Sequence, residues 1–145
     1  MSDDRIILCM KWGTKYGPEY INRLYAMVRR HLSGDFRLVC LTDDSKGIRE
    51  EVECYPIPPL DLPPGIPERG WNKLTTFTAD LHGLQGTALF LDVDVVITGP
   101  LDDFFTYPGD FVIIHDYKRP WRITGNSSVY RFKIGAYPEI LDKFR

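Results

Sequence analysis

Two aspartates interrupt the most apolar segment of the chain and offer the clearest chemistry in the sequence. Asp92 and Asp94 lie within the run ALFLDVDVVI, residues 88–97. If this run is a strand, both carboxylates project to the same side and repel each other unless a cation lies between them. Carboxylate oxygens suit Mg²⁺ or Mn²⁺, which keep open positions that phosphate oxygens can fill. The spacing therefore predicts a metal site for a phosphate-bearing ligand, with N-capping or loop solvation of both acids as the alternative.

Short apolar runs and helical periodicity predict the elements that must position this pair. Apolar residues repeat at helical spacing from 21 to 32, and Pro18 and Gly34 stand where a helix begins and ends. Strands are predicted over residues 5–10, 36–41, 52–57, 87–97, 111–115 and 127–132. Further helices are predicted over residues 72–84, capped by Asn72, and 138–144, with one helical turn at 101–105. This alternation predicts an α/β fold with a mostly parallel, Rossmann-related sheet flanked by helices.

The order of elements also predicts where a ligand binds. In sheets of this kind, ligands bind at the carboxyl ends of the strands. The candidate positions are therefore residues 10–16, 42–45 and 92–95, at or near the carboxyl ends of three of the predicted strands.

A proline-rich segment separates the two halves of the chain. Six prolines between Pro56 and Pro67 exclude a helix or a central strand there. A loop of this length is often functional, and a linker between two domains is the alternative. Because the pieces on either side are too small to fold alone, we expect residues 1–145 to form a single domain.

Composition and charge exclude several classes of protein. Eighteen Lys and Arg against twenty Asp and Glu give a net charge of -2, which excludes a strongly basic nucleic-acid surface. No apolar run approaches the roughly 20 residues of a transmembrane helix. The acidic residues 1–4 lack the positive start of a secretory signal, so we expect a cytoplasmic protein. Three cysteines within apolar runs, at positions 9, 40 and 54, are predicted to be buried and reduced.

The acidic segment resembles a known motif. TALFLDVDVVI at 87–97, followed by PLDDF at 100–104, resembles the metal-binding DxD segment of nucleotide-sugar glycosyltransferases of the GT-A fold. The pattern is most similar to that of glycosyltransferase family 8 and its bacterial relatives. Other segments agree in order: residues 5–10 with the first strand, WNKL at 71–74 with the helix before the DxD strand, and NSSV at 126–129 with a later strand. The resemblance implies a GT-A-like fold with the DxD motif at a strand end.

This resemblance implies a metal-dependent transfer of a sugar. Asp92 and Asp94 would hold Mn²⁺ or Mg²⁺ against the donor diphosphate, and the ion would neutralise the leaving nucleoside diphosphate. Lys73 would add positive charge near the phosphates or near Asp92. The implied donor is a nucleotide sugar, with a UDP-sugar favoured, and the acceptor is a saccharide or another hydroxyl compound. The resemblance assigns no catalytic base.

The resemblance also implies which residues contact the ligands. Trp12 or Tyr16 would stack on the base, because a flat ring after the first strand suits a heterocycle. The implied donor-nucleotide residues are Met10, Trp12, Tyr16, Lys73 and Val93, and those for the sugar or acceptor are Asn126 and Ser127. Asp43 is a candidate for a hydrogen bond to the base or ribose. Ordinary packing, turn formation and a solvated lysine are the alternatives for these side chains.

The chain departs from the family pattern after Asn126. Family members continue with a His-x-x-Gly segment that supplies a further metal ligand and a basic residue, and no such segment follows here. The expectation is therefore a truncated or minimal relative, in which His115 and Asp116 stand in the wrong order to replace the missing ligand. Two alternatives stay open: a nucleotide-sugar-binding domain without turnover, and a haloacid-dehalogenase-type phosphatase with Asp92 as nucleophile.

Overall fold

A six-stranded mixed sheet forms the centre of the structure. The computed structural model describes residues 5–60, 70–116, 118, 121 and 124–144. For residues 70, 71 and 144 it describes the backbone and not the side chain. The strands are β1 (Arg5–Lys11), β2 (Arg37–Thr42), β3 (Glu53–Tyr55), β4 (Thr87–Leu91), β5 (Phe111–His115) and β6 (Gly125–Lys133). They lie in the order β3-β2-β1-β4-β6-β5; the first four are parallel, and β6 is antiparallel to both of its neighbours. The predicted α/β class with a mostly parallel sheet is confirmed.

Helices cover both faces of the sheet, which explains why the strands are apolar along their whole length. Alternate residues of β1 point to opposite faces: Ile6 and Leu8 join one core and Ile7 joins the other, and all three are fully buried. The Ile7 face is covered by α1 (Pro18–His31) and α2 (Asp102–Thr106). The opposite face is covered by a 3₁₀ helix (Gly70–Phe77) and α3 (Pro138–Phe144).

The first helix follows its sequence pattern. Pro18 occupies the first turn, where its missing N–H costs nothing, and Ile21, Leu24 and Val28 are buried against the sheet. Past the C-terminal end of α1, Gly34 adopts a left-handed φ of 77°. The chain reverses there, and β2 can pair in parallel with β1.

The predicted second helix over residues 72–84 is wrong in type and length. The chain forms only the 3₁₀ helix Gly70–Phe77 and then turns at His82 and Gly83, whose φ values are 52° and 73°. Threonine side chains explain the difference, because the hydroxyls of Thr75 and Thr76 donate to carbonyl oxygens three residues earlier, at 2.6 and 2.7 Å. Such local bonds compete with the regular α-helical ladder. Asn72 lies inside the 3₁₀ helix and does not cap it.

The three cysteines form a row across the sheet. Cys9 pairs in register with Cys40, which pairs with Cys54, and all three are free thiols. Cys9 and Cys40 are buried as predicted, whereas Cys54 is only partly buried. A hydrogen bond to Cys40, together with burial, raises the pKa of the Cys9 thiol, which keeps it protonated and unreactive.

Two further predictions concern the segments between elements and the membrane. Residues 56–60 of the proline-rich segment form no helix or strand, and residues 61–69 lie outside the described part of the chain. The predicted long loop is therefore supported only at its beginning. None of the helices within the described residues is long and apolar enough to cross a bilayer.

Candidate functional site

A cleft of about 410 Å³ opens at the carboxyl ends of β1 and β4. These parallel strands are neighbours, and the chain leaves β1 toward β2 on one side and returns to β4 on the other. Ligands of open α/β sheets bind at such a point. The cleft is lined by Met10, Lys11, Trp12, Lys15, Tyr16, Lys73, Phe90, Asp92, Val93 and Asp94. All seven residues predicted for the metal and the donor nucleotide belong to this set.

Asp92 and Asp94 lie in a turn after β4 and not within a strand, which corrects the strand predicted over residues 87–97. The N–H of Asp92 still donates to the carbonyl of Ser128 on β6 at 3.0 Å, and the N–H of Val95 closes the turn on the carbonyl of Asp92 at 3.3 Å. The flanking valines favour a strand, but pairing with β1 already ends at Phe90. Asp92 is therefore half-buried and Asp94 is exposed. The burial cost that predicted a cation is smaller than the sequence indicated.

Lys73 is the counter-ion of Asp92. Its Nζ lies 2.7 Å from Oδ1 of Asp92 and donates to the carbonyl and hydroxyl oxygens of Ser127 at 3.1 and 3.3 Å. The side chains of Lys73 and Asp92 are 19% and 27% exposed, so solvent screens this pair less than an ordinary surface ion pair. Lys73 thus joins the 3₁₀ helix to the turn after β4 and to β6.

Tyr16 contacts the second aspartate from the opposite side of the cleft. Its hydroxyl donates to Oδ2 of Asp94 at 3.1 Å, which links the loop after β1 to the turn after β4. The ring packs edge-on against Tyr20 of α1, and Nζ of Lys15 lies 5.3 Å from its centre. Trp12 packs with the core on the other face of the sheet. The two predicted aromatic rings therefore border the cleft from different faces.

An aromatic stack forms the base of the site. Phe90 lies nearly parallel to Tyr130 with 4.9 Å between ring centres, and Nζ of Lys73 lies 5.4 Å from the centre of Phe90. The Tyr130 hydroxyl is within 3.0 Å of Oγ1 of Thr76 in the 3₁₀ helix. Burial raises the pKa of the Tyr130 hydroxyl well above its usual range. The hydroxyl therefore stays protonated and holds the 3₁₀ helix against β6.

Asp43 supports the loop after β1. Its Oδ2 accepts a hydrogen bond from the N–H of Gly13 at 3.0 Å, which ties this loop to the end of β2. Gly13 has a φ of 68°, a conformation that glycine adopts without strain. Asp43 does not line the cleft, so its role here is that of a turn residue.

The strand that carries Asn126 and Ser127 bulges beside the cleft. Between Ile113 and Ile114 of β5 the register shifts, so that three residues of β6 have no partner on β5. Oδ1 of Asn126 accepts the N–H two residues later at 2.9 Å and stabilises this bulge, while Ser127 binds Lys73. Neither Asn126 nor Ser127 lines the cleft, and their contact with a sugar or acceptor stays a prediction.

Three residues of the cleft were not predicted: Lys11, Lys15 and Phe90. The two lysines could have been identified from their positions, because both fall within residues 10–16, the range predicted to bind a ligand after the first strand. Phe90 precedes Asp92 by two residues in the predicted strand, so alternation placed it on the same side. In contrast, His115 and Asp116 are not among the cleft residues, and the structure gives neither of them a role there.

The two aspartates offer a partial ligand set for a divalent cation. Oδ1 of Asp92 is bound to Lys73 and Oδ2 of Asp94 to Tyr16, and the other oxygen of each carboxylate has no bond within the described residues. In that part of the chain, no three His, Cys, Asp or Glu side chains converge as a metal-binding group. Mg²⁺ commonly uses one or two carboxylates and takes its other ligands from phosphates and water. The donor set therefore fits an ion that binds together with a phosphate ligand.

A second cavity, of about 530 Å³, lies near the start of β4, at the opposite edge of the sheet. Its buried charge, Arg131, is 5% exposed and donates to the carbonyl oxygens of Phe104, Tyr107 and Gly109. These bonds attach α2 and the following turn to β6. The buried charge of this cavity therefore has a structural role.

Comparison with known proteins does not assign the chain to a family. No protein-family model matches it, and no curated protein matches it significantly. The functional argument therefore rests on the geometry of the cleft.

Proposed function

We propose that this chain is a metal-dependent glycosyltransferase of the GT-A type that moves a sugar from a nucleotide diphosphate to a hydroxyl acceptor. The observation that carries the proposal is the convergence of Asp92 and Asp94 with Trp12 and Tyr16 in one cleft. Carboxylates suit a cation on the diphosphate, and aromatic rings suit a nucleotide base. The cleft lies where ligands of open α/β sheets bind, which is independent support.

The residues of the cleft divide the work of binding the donor. Asp92 and Asp94 would hold Mn²⁺ or Mg²⁺, which supplies positive charge to the departing diphosphate when it is bound. Lys73 orients Asp92 through the 2.7 Å ion pair, and Tyr16 orients Asp94 through its hydroxyl. Trp12 borders the cleft beside the loop after β1 and offers a flat apolar surface to the base.

The acceptor side of the site is proposed from the bulge on β6. Ser127 lies next to the turn after β4 because it shares Lys73 with Asp92. The amide of Asn126 has both donors and an acceptor, which suits sugar hydroxyl groups. Its Oδ1 already binds the backbone of the bulge, so the amide nitrogen is the group proposed to contact a sugar.

Substitution of the aspartates tests the proposal. Asp92→Asn and Asp94→Asn should each lower the release of nucleoside diphosphate from a UDP-sugar in Mn²⁺ by about a hundredfold or more, because charge stabilisation by a metal ion contributes several kcal/mol. Asp142→Asn, at an exposed position on α3, is the matched control and should keep full activity. Unchanged turnover in both site variants would refute the proposal.

A thermal-shift panel of nucleotide sugars, with and without Mn²⁺, measures binding separately from turnover. A donor at about 100 times its Kd should add about 2.7 kcal/mol to the free energy of unfolding. Binding without any release of nucleoside diphosphate would favour a domain that binds the donor without turnover. An aspartyl-phosphate trapped at Asp92 would favour the phosphatase alternative.

A further inference from the structure

Lys11 is a buried cation for which the described part of the chain provides no partner. It is the last residue of β1 and is only 6% exposed. The ion pairs, hydrogen bonds and ring contacts of the described residues do not include its ammonium group. The other lysines of the cleft differ, because Lys73 binds Asp92 and Lys15 lies over the ring of Tyr16.

Lys11 lines the cleft, and its ammonium group is not sealed from solvent. Among the described residues, no buried side-chain nitrogen or oxygen lacks a hydrogen-bond partner. Because Nζ of Lys11 has no hydrogen-bond partner among these residues, it keeps contact with solvent, and the cleft is the open space that Lys11 lines. A charge held with so little solvent and no counter-ion lowers the stability of the free protein.

We propose that Lys11 binds a phosphate group of the ligand in this cleft. Among the described residues, three lysines and two aspartates line the cleft, so these five contribute one net positive charge when all are ionised. Asp92 is already paired with Lys73, which leaves Lys11 as the uncommitted charge deepest in the protein. A phosphate would give it the counter-ion that none of the described residues supplies. A charge-assisted hydrogen bond of this kind is among the strong ones in proteins.

This inference rests on the proposed function for the nucleotide part of the ligand, but phosphate binding by Lys11 requires neither metal nor sugar transfer. It can therefore be measured in EDTA. The probes are inorganic pyrophosphate, uridine diphosphate and uridine, which separate the contribution of the phosphates from that of the base.

The experiment compares Lys11→Met with wild type by calorimetric titration in EDTA. We expect pyrophosphate and uridine diphosphate to bind Lys11→Met about 10 to 100 times more weakly, the loss of one charged hydrogen bond. Affinity for uridine should change less than about twofold, since uridine carries no phosphate. Lys46→Met, in an exposed turn, is the matched control and should bind all three probes like wild type.

Unfolding measurements keep the test interpretable. Lys11→Met without ligand should have a melting temperature equal to or above that of wild type, because an unpaired buried charge has been removed. If this variant does not fold, Lys11→Gln replaces it in the same titrations. Lys11→Arg keeps the charge and should retain more phosphate affinity than either neutral variant.

Several results would overturn the proposal. Wild type that binds neither pyrophosphate nor uridine diphosphate would do so, as would unchanged affinity in Lys11→Met. An equal loss for uridine and its diphosphate would show that Lys11 shapes the base pocket instead. If Lys11 governs pyrophosphate affinity but the aspartate variants turn over normally, the proposed function fails and the Lys11 site stands. If the aspartate variants lose turnover but Lys11→Met binds pyrophosphate like wild type, the Lys11 proposal fails and the proposed function stands.

Discussion

Removal of the Lys73 ammonium group tests how the first aspartate of the cleft is held. In Lys73→Met, Asp92 loses the charge 2.7 Å from its Oδ1, and Ser127 loses two hydrogen bonds. A carboxylate that is only 27% exposed is then left without a counter-ion. We expect the free energy of unfolding to fall by about 2 to 3 kcal/mol.

A double-mutant cycle isolates the ion pair from the other contacts of Lys73. Asp92→Asn keeps the size of the side chain and removes its charge. The double variant should lose less stability than the two single variants together, by about 1 to 2 kcal/mol. This value lies between that of an exposed ion pair and that of a buried charged hydrogen bond, because both side chains are mostly shielded from solvent.

The four proteins are compared by urea unfolding in EDTA, so that no divalent cation competes for Asp92. Each kcal/mol should also lower the melting temperature by about 3 °C in a chain of this size. Lys46→Met, which removes a lysine from an exposed turn, is expected to match wild type. A coupling free energy below about 0.3 kcal/mol, as for independent sites, would refute the claim that Lys73 positions Asp92.

Two further predictions concern the frame of the sheet. Arg37 donates two hydrogen bonds to Glu53, at 2.7 and 2.6 Å, and these lower the pKa of that carboxyl from its usual value of 4.5. Wild type should therefore have a larger free energy of unfolding than Glu53→Gln above pH 4.5, and this difference should disappear as the pH falls below that value. Urea titrations at several pH values measure it, and a difference that does not change with pH would contradict the prediction. Gly135→Ala should cost about 1 to 3 kcal/mol by thermal unfolding, since φ is 81° and a new Cβ would lie 2.8 Å from the carbonyl oxygen of Ala79. Gly99→Ala, with open space around it, is the control, and equal losses in both variants would disprove the steric argument.

Local patterns in the sequence were sufficient to predict the helices and strands that pack through apolar side chains. The helix that begins at Pro18 and the strand at 111–115 have the predicted positions. The rule that ligands bind at strand ends also identified residues 10–16 and 92–95, members of which line one cleft. These results follow because hydrophobic periodicity and turn residues act over a few positions and do not depend on the rest of the chain.

Local patterns failed where polar side chains compete with the backbone. Thr75 and Thr76 bind carbonyl groups within the 3₁₀ helix, so the apolar periodicity of residues 72–84 did not produce an α-helix. The valines around Asp94 suggested a longer strand, but strand length is set by pairing with the neighbouring strands, which stops at Phe90 on the β1 side and at Leu91 on the β6 side. In both segments the deciding contacts were absent from the hydrophobic pattern.

The sequence by itself determined an α/β sheet with an acidic pair at the end of its fourth strand. Only the tertiary structure decided what that pair touches. Tyr16 reaches Asp94 across 78 positions of the chain, and Lys73 reaches Ser127 across 54. The fold also buries Lys11 without a counter-ion among the described residues. Such pairings depend on strand order, on the bulge of β6 and on the turn after β4, because electrostatic contacts form between residues that the whole fold brings together.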